Sequence, residues 1–320
     1  MPQSHAIWAT LGPATLQPEF LRSVQGRVSL LRLNLSHMTL PEMCSAIDLI
    51  RAHTDTEICI DTQGAQMRTR AEQDRSYQVG DAVVITPGEI EPRSAWTQLH
   101  PGDRLRVGFA GLVVDIIDRD ADRITARCVD AGTWQSHKGI HCVNHPVELP
   151  DLTEQDLDCI QSARDRGIHT FALSFTRNHQ SIRAFQSLLP SARLIYKIET
   201  ASALQDLDRM FQTGTEFLID RGDLGQEIGA DHTPVAQRQI FRTSQQYPDV
   251  KILVATNFLE SMIDRPYATR AELNDIYTAL EQGAAGLILA GETAIGKYPT
   301  ECVSQIERMI QIYSDQQKAQ

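Results

Sequence analysis

Eight short apolar runs punctuate this chain, and most neighbours are separated by enough residues for one helix. The runs are Ala6–Leu11, Val28–Leu33, Glu57–Ile60, His169–Leu173, Arg193–Lys197, Glu216–Ile219, Lys251–Ala255 and Gly286–Leu289. Between and after them, apolar residues recur with helical spacing near 17–25, 39–53, 153–166, 178–189, 201–212, 233–247, 271–282 and 299–313. Several of these stretches open on helix-start chemistry, such as Leu152-Thr153-Glu154-Gln155 and Thr233-Pro234. A strand followed by a helix, repeated eight times, predicts an α/β fold in which a parallel sheet closes into a (β/α)8 TIM barrel.

The alternation breaks once, after the third run. From about residue 69 to residue 147 the pattern changes to short alternating stretches with turn signals, as in Val79-Gly80-Asp81-Ala82 and Pro101-Gly102-Asp103-Arg104. The expected organisation is a barrel over 1–68 and 148–320, with a small β-rich domain over 69–147 inserted at its functional face. An insertion there is expected to act as a lid.

The excess of acidic residues narrows the partners. A net charge of −11 is unsuited to a general nucleic-acid or membrane surface, since phosphate backbones and anionic lipids select basic patches. No apolar run approaches the roughly 18 residues of a membrane span, and the first residues lack a charged-then-apolar leader pattern, so a cytoplasmic protein is expected. The six cysteines are scattered without a CxxC pair, which indicates neither a disulfide framework nor a zinc ribbon. His137, His141, Cys142 and His145 are zinc-ligand types in a dense patch, but their spacing is not a recognised zinc pattern.

Polar groups collect where two consecutive apolar runs end. Tyr196-Lys197-Ile198-Glu199 and Ile219-Asp220-Arg221-Gly222-Asp223 supply a lysine and two candidate metal ligands. In a β/α barrel the chemistry lies at the C-terminal ends of the strands. Glu199 and Asp223 then read as hard-oxygen ligands for Mg2+ or Mn2+, with Lys197 a fixed charge beside the ion.

A series of longer motifs resembles the pyruvate kinase family along nearly the whole chain. They include Ala9-Thr10-Leu11-Gly12-Pro13, Arg32-Leu33-Asn34-Leu35-Ser36-His37, Asp61-Thr62-Gln63-Gly64 with Arg68-Thr69, Ser174-Phe175-Thr176-Arg177 and Lys197-Ile198-Glu199. Arg221-Gly222-Asp223-Leu224-Gly225, Ala255-Thr256-Asn257, Thr269-Arg270-Ala271-Glu272 and Gly291-Glu292-Thr293-Ala294 continue the series in order. The resemblance implies a phosphotransferase acting on phosphoenolpyruvate or pyruvate. Glu199 and Asp223 would hold the divalent ion, and Lys197 and Arg32 would stabilise the phosphoryl group. Gly222 and Asp223 would present backbone N–H groups to the substrate carboxylate, and Thr256 would place a hydroxyl on the proton-transfer face of the enolate. Asn34, Ser36, Asp61 and Thr62 match the family's monovalent-cation site for K+, and Arg68 and Lys138 are implied as further substrate-binding cations. It also implies that regulation through a C-terminal effector domain is missing, and leaves association into a homo-oligomer open.

Departures from the family pattern fall on the nucleotide and proton-relay side. Phe109-Ala110-Gly111-Leu112 stands where the family has Asp-Asp-Gly-Leu, and Ala290 and Ile295 replace a serine and a lysine around Gly291-Glu292-Thr293-Ala294. Met38, Gln63, Gln66 and Asn257 also differ, and Asp220 puts a carboxylate where the family has a small residue; its side chain points either toward the ion or into the barrel wall. Three functions are compatible with this pattern. They are phosphoryl transfer between phosphoenolpyruvate and ADP, a reaction of phosphoenolpyruvate or another 2-oxo acid with a non-nucleotide acceptor or by metal-enolate chemistry such as aldol or decarboxylation steps, and non-catalytic ligand binding or regulation. ADP is left unassigned.

Overall fold

The computed structural model describes residues 5–108, 111–145 and 147–319. These residues separate into two compact units, one formed by 1–64 with 152–320 and the other by 65–151. The sequence reading left residues 65–68 and 148–151 with the barrel. The boundary moves because Met67–Thr69 is a strand of the inserted sheet, pairing with Ile90–Glu91 and with Gly139–Cys142.

In the first unit eight strands close into a parallel barrel: β1 (Ala6–Thr10), β2 (Leu30–Asn34), β3 (Glu57–Asp61), β4 (Thr170–Leu173), β5 (Arg193–Ile198), β6 (Glu216–Asp220), β7 (Lys251–Ala255) and β8 (Gly286–Leu289). Each pairs with its neighbours in sequence, and β8 returns to β1. β2, β3, β5 and β6 each run one residue beyond the apolar run that predicted them, taking in Asn34, Asp61, Ile198 and Asp220. Hydrophobicity stops there but backbone pairing does not, as the registers Asn34↔Asp61 and Asp220↔Ala255 show.

Strand parity explains what fills the bore. Successive side chains point to opposite faces of a strand, so residues two apart share a face. Trp8, Leu30, Cys59, Ala172, Ile195, Leu218, Leu253 and Ile288 form a buried cluster inside the ring. Two residues further along the same faces stand Arg32, Asp61, Lys197 and Asp220. The bore therefore carries an apolar layer capped by a charged one at the C-terminal ends of the strands. Residues of the other parity, including Leu31, Leu33, Ile60, Phe171, Ile198 and Ile219, pack outward in a larger core with the helices.

The surrounding helices follow the expected segments, with one of them divided and short helices added after β6 and β8, the latter Gly291–Ala294. The 201–212 stretch is divided at Asp206 into Ala201–Gln205 and Leu207–Thr213, and a helix not expected at that length, Arg221–Ile228, begins directly after β6. Among the described residues no helix is long and apolar enough to cross a membrane. The inserted unit is a seven-stranded antiparallel sheet with a two-stranded companion and its own core, which includes Val83, Leu105, Val114, Ala126 and Trp134.

The turn after β3 is fixed by a buried carboxylate. Asp156, in the first turn of helix Glu154–Asp165, accepts the Gln63 N–H at 2.7 Å and the Gly64 N–H at 3.0 Å, and closes a capping box with Thr153. Gly64 has φ +70 and lies against Ser174, so close that a Cβ would stand 2.7 Å from the Ser174 carbonyl oxygen. Asp156→Ala removes the acceptor of these N–H groups in a fully buried position. It is expected to destabilise the fold by about 3 kcal/mol, read as a lower denaturant midpoint at unchanged slope.

Candidate active site

Arg32 and Lys197, each 3% exposed, face one another across the charged layer of the bore. Ions taken from water to such a position cost several kcal/mol each unless they are paired. Asp61 supplies the first pairing, accepting from Arg32 Nε at 2.7 Å and lying 3.4 Å from Lys197 Nζ. Thr10 Oγ1 accepts from Arg32 Nη1 at 3.1 Å, and Ser174 Oγ accepts from Lys197 Nζ at 3.0 Å. Lys197 also lies 2.7 Å from Glu199 Oε1. Asp220 Oδ2 is 3.4 Å from Lys197 and 3.7 Å from Arg32. Parity thus settles where Asp220 points: into the bore, against both cations.

These contacts fix the protonation states. Burial pulls the Lys197 ammonium toward neutrality, but Asp61, Glu199 and Asp220 outweigh it and hold the amine charged, its pKa raised. Burial likewise opposes ionisation of Asp220, and Lys197 and Arg32 reverse it, so its pKa is lowered. Glu199 behaves differently. Burial pushes its carboxyl up to about 8, with Lys197 pulling against that and Asp223 and Asp220 adding repulsion.

Glu199, Asp220 and Asp223 each offer an oxygen, and the three lie within 4.8 Å of one another. An all-carboxylate set suits Mg2+ or Mn2+ rather than zinc. One buried oxygen among them, Asp220 Oδ1, has no hydrogen-bond partner among the described residues, while Glu199 Oε1 is met by the Lys197 ammonium, and both suit a cation. The other Glu199 oxygen accepts the Phe175 N–H at 2.6 Å, which orients the group.

Helix Arg221–Ile228 carries Asp223 in its first turn, and its start is tied to the end of β7. The Gly222 N–H donates to Thr256 Oγ1 at 2.9 Å, and Arg221 Nε donates to the Thr256 carbonyl at 3.1 Å. Arg221 is itself held by Asp275 at 2.6 Å and stacks over the Phe258 ring. The sequence reading offered the Gly222 N–H to a substrate carboxylate; in this structure that donor is engaged by Thr256. Thr256 has φ +71, a left-handed backbone for a β-branched residue that costs about 1–3 kcal/mol and is found where neighbours impose it.

Of the four residues aligned with a monovalent-cation site, Asn34 and Asp61 are register partners on β2 and β3. Asn34 Oδ1 accepts the Ser36 N–H at 2.9 Å, and Thr62 Oγ1 accepts the Ser174 N–H at 3.0 Å. Arg68 and Lys138 belong to the inserted unit. They lie on adjoining segments there, where Lys138 N–H donates to Thr69 Oγ1 at 2.9 Å. Phe109 and Ala110 lie outside the described residues. Ile295 is exposed, and Glu292 is buried in a holding role, accepting the Leu259 and Ala290 N–H groups at 3.0 and 2.8 Å.

The histidine-rich patch does not assemble as its sequence suggests. Along Gly139–Cys142 alternate residues face opposite sides, so Cys142 is buried and His141 is turned away from it. His145 meets Asp103 at 3.1 Å and, with His100, forms the acidic-histidine group of that unit. Sequence reasoning also missed Ser174 and the Phe175 N–H as partners of Lys197 and Glu199. The signals were the position of Ser174 just past an apolar run and its place in the motif Ser174-Phe175-Thr176-Arg177.

The described residues thus form a parallel β/α barrel whose bore is capped by paired cations and carboxylates, with more acids at the strand ends. The family description "Pyruvate kinase, barrel domain" matches residues 3–303, and the chain belongs to the pyruvate kinase family. A "Pyruvate kinase" of Borreliella burgdorferi is 28% identical over 316 residues, 94% of this chain and 66% of that protein. "Pyruvate kinase 2" of Synechocystis sp. is 29% identical over 95% of this chain and 56% of its own length. A "Pyruvate kinase" of Agrobacterium vitis is 30% identical, with 95% and 67% covered. The chain thus spans between about half and two thirds of the length of these relatives.

The protonation of Glu199 sets a pH dependence for divalent-ion binding. A carboxyl with its pKa near 8 must lose a proton before it can ligate, so the competing proton weakens binding below that value and drops out above it. Mn2+ affinity, measured by electron paramagnetic resonance, is expected to rise up to tenfold per pH unit between pH 6 and 8 and then level off. A flat profile over that interval removes the raised pKa of Glu199.

Proposed function

We propose that this chain is a divalent-metal-dependent phosphotransferase of the pyruvate kinase kind, acting on phosphoenolpyruvate and pyruvate at the C-terminal mouth of the barrel. The observation that carries this reading is the buried convergence of Lys197 and Arg32 beside the Glu199, Asp220 and Asp223 oxygens. Phosphoryl transfer requires little covalent help and much electrostatic stabilisation, supplied by groups fixed before the reaction begins. A bound Mg2+ or Mn2+ supplies positive charge against the substrate's clustered oxygens. Lys197 and Arg32 face the phosphoryl oxygens as the bond from phosphorus to the enol oxygen breaks and charge builds on that oxygen. Thr256, its hydroxyl held by Gly222 and its carbonyl by Arg221, flanks the enolate on the side from which a proton is delivered. Asn34, Ser36, Asp61 and Thr62 are the groups for K+, and the substrate-binding role of Arg68 and Lys138 rests on the family resemblance alone.

The exposed Ile295, standing where the family has a lysine, favours a second reading in which the acceptor is not a nucleotide. Pyruvate formation from phosphoenolpyruvate with Mn2+, measured with and without ADP, separates the two. ADP-dependent turnover supports the first reading, and ADP-independent turnover supports the second. Lys197→Met keeps the apolar stem and removes the charge. It is expected to lower kcat by two to four orders of magnitude while changing the phosphoenolpyruvate Kd far less, because the charge acts mainly in the transition state. Near-normal kcat in that variant removes Lys197 from the reaction.

A further inference from the structure

Asp220 is a carboxylate with two different tasks for its two oxygens. Oδ2 lies against Lys197 and Arg32, at 3.4 and 3.7 Å. Oδ1 is buried and has no hydrogen-bond partner among the described residues, in a side chain 4% exposed. An ionised carboxylate buried with an idle oxygen forfeits the solvation of that oxygen, a loss that a charged or hydrogen-bonding partner has to offset. The nearby Gly222 N–H acts on this carboxylate but gives its hydrogen bond to Thr256 Oγ1. Asp220 stands beside Glu199 and Asp223, with one oxygen of each within 4.8 Å of the others.

The charge around this point is unbalanced in the same sense. Arg32 and Lys197 are met by Asp61, Glu199 and Asp220, all buried, with Asp223 in the first turn of Arg221–Ile228. With all four carboxylates ionised, as ligation requires, two cations against four anions leave a deficit that one divalent cation makes good. Without Asp220 the same set would be satisfied by a monovalent charge. The third carboxylate is thus matched to the charge of the ion.

From this we infer that Asp220 is a third protein ligand of the divalent ion, binding it through Oδ1 while Oδ2 bridges to Lys197 and Arg32. The inference rests on the metal-dependent reading given above and adds to it. Three carboxylates occupy one more position on the ion than two do, leaving fewer for water or substrate. The bridge also links the ion to the cations that face the phosphoryl group, so a change in one is felt by the other.

Mn2+ affinity and bound-water number test this at pH 8.5, where Glu199 is ionised. Asp220→Asn is expected to weaken Mn2+ binding at least tenfold, read by electron paramagnetic resonance. Tb3+ luminescence lifetimes in H2O and D2O are expected to show about one more coordinated water than in the wild type. Lys197→Met with Asp220→Asn removes one cation and one anion together, preserving the buried balance should the single variant fail to fold. Its Mn2+ affinity is expected to stay at least tenfold below that of Lys197→Met alone. Wild-type Mn2+ affinity and water number in folded Asp220 variants overturn the inference. Glu199→Gln with Asp223→Asn serves as the control for the underlying reading. If that pair keeps wild-type Mn2+ affinity, the metal reading itself fails; if it abolishes binding while Asp220→Asn does not, only the third ligand is lost.

Discussion

A lysine buried in the bore of a barrel imposes its terms on everything around it. Lys197 cannot keep its charge at 3% exposure without counter-charges, and it meets three carboxylates and a hydroxyl drawn from four different strands or strand ends. Asp61 comes from β3, Ser174 from the end of β4, Glu199 from just past β5, and Asp220 from β6. Closing the barrel in register is what brings them together, since a slip of one residue on any strand would turn its polar group to the opposite face. Removing one partner of such a set leaves a buried charge uncompensated, typically at about 3–5 kcal/mol. The same groups therefore secure the top of the barrel and preset the field in which an anion would be held.

The parts that move polar groups into position are themselves tied down. Asp156 fixes the turn after β3, and with it Thr62 and Gly64 against Ser174. Arg221, anchored on Asp275, grips the carbonyl of Thr256, whose hydroxyl in turn receives the Gly222 N–H. The left-handed backbone at Thr256 and at Phe175 is the conformational cost of turning away from a strand while leaving a hydroxyl or an N–H aimed at the site.

Much of this was legible in the chain alone. Eight apolar runs marked eight strands, because a strand buried on both faces must be apolar throughout, and the helix-start residues marked the crossovers. The grouping of Lys197, Glu199 and Asp223 was visible as polar residues at the ends of such runs. The depth of the site was not. Asp61 and Asp220 look like rim residues when a strand is taken to end with its last apolar residue, yet hydrogen-bond pairing continues through Asn34, Asp61 and Asp220. Counting by twos from Leu30, Cys59, Ile195 and Leu218 identifies the bore residues, but only once the inward parity of each strand is known. The partners of Glu199 include a backbone N–H of Phe175, which no side-chain pattern encodes. His145 groups with its sequence neighbours in the chain alone, whereas the fold brings it to Asp103, just before the strand that begins at Arg104.

The central claim is that the carboxylates above the bore hold a divalent cation beside Lys197. Diffraction from crystals of this protein grown with Mn2+, recorded at the manganese edge, tests it most directly. The account predicts one anomalous peak at roughly 2.0–2.4 Å from oxygens of Glu199 and Asp223. No peak there at millimolar Mn2+, or an ion held elsewhere in the barrel, would contradict it.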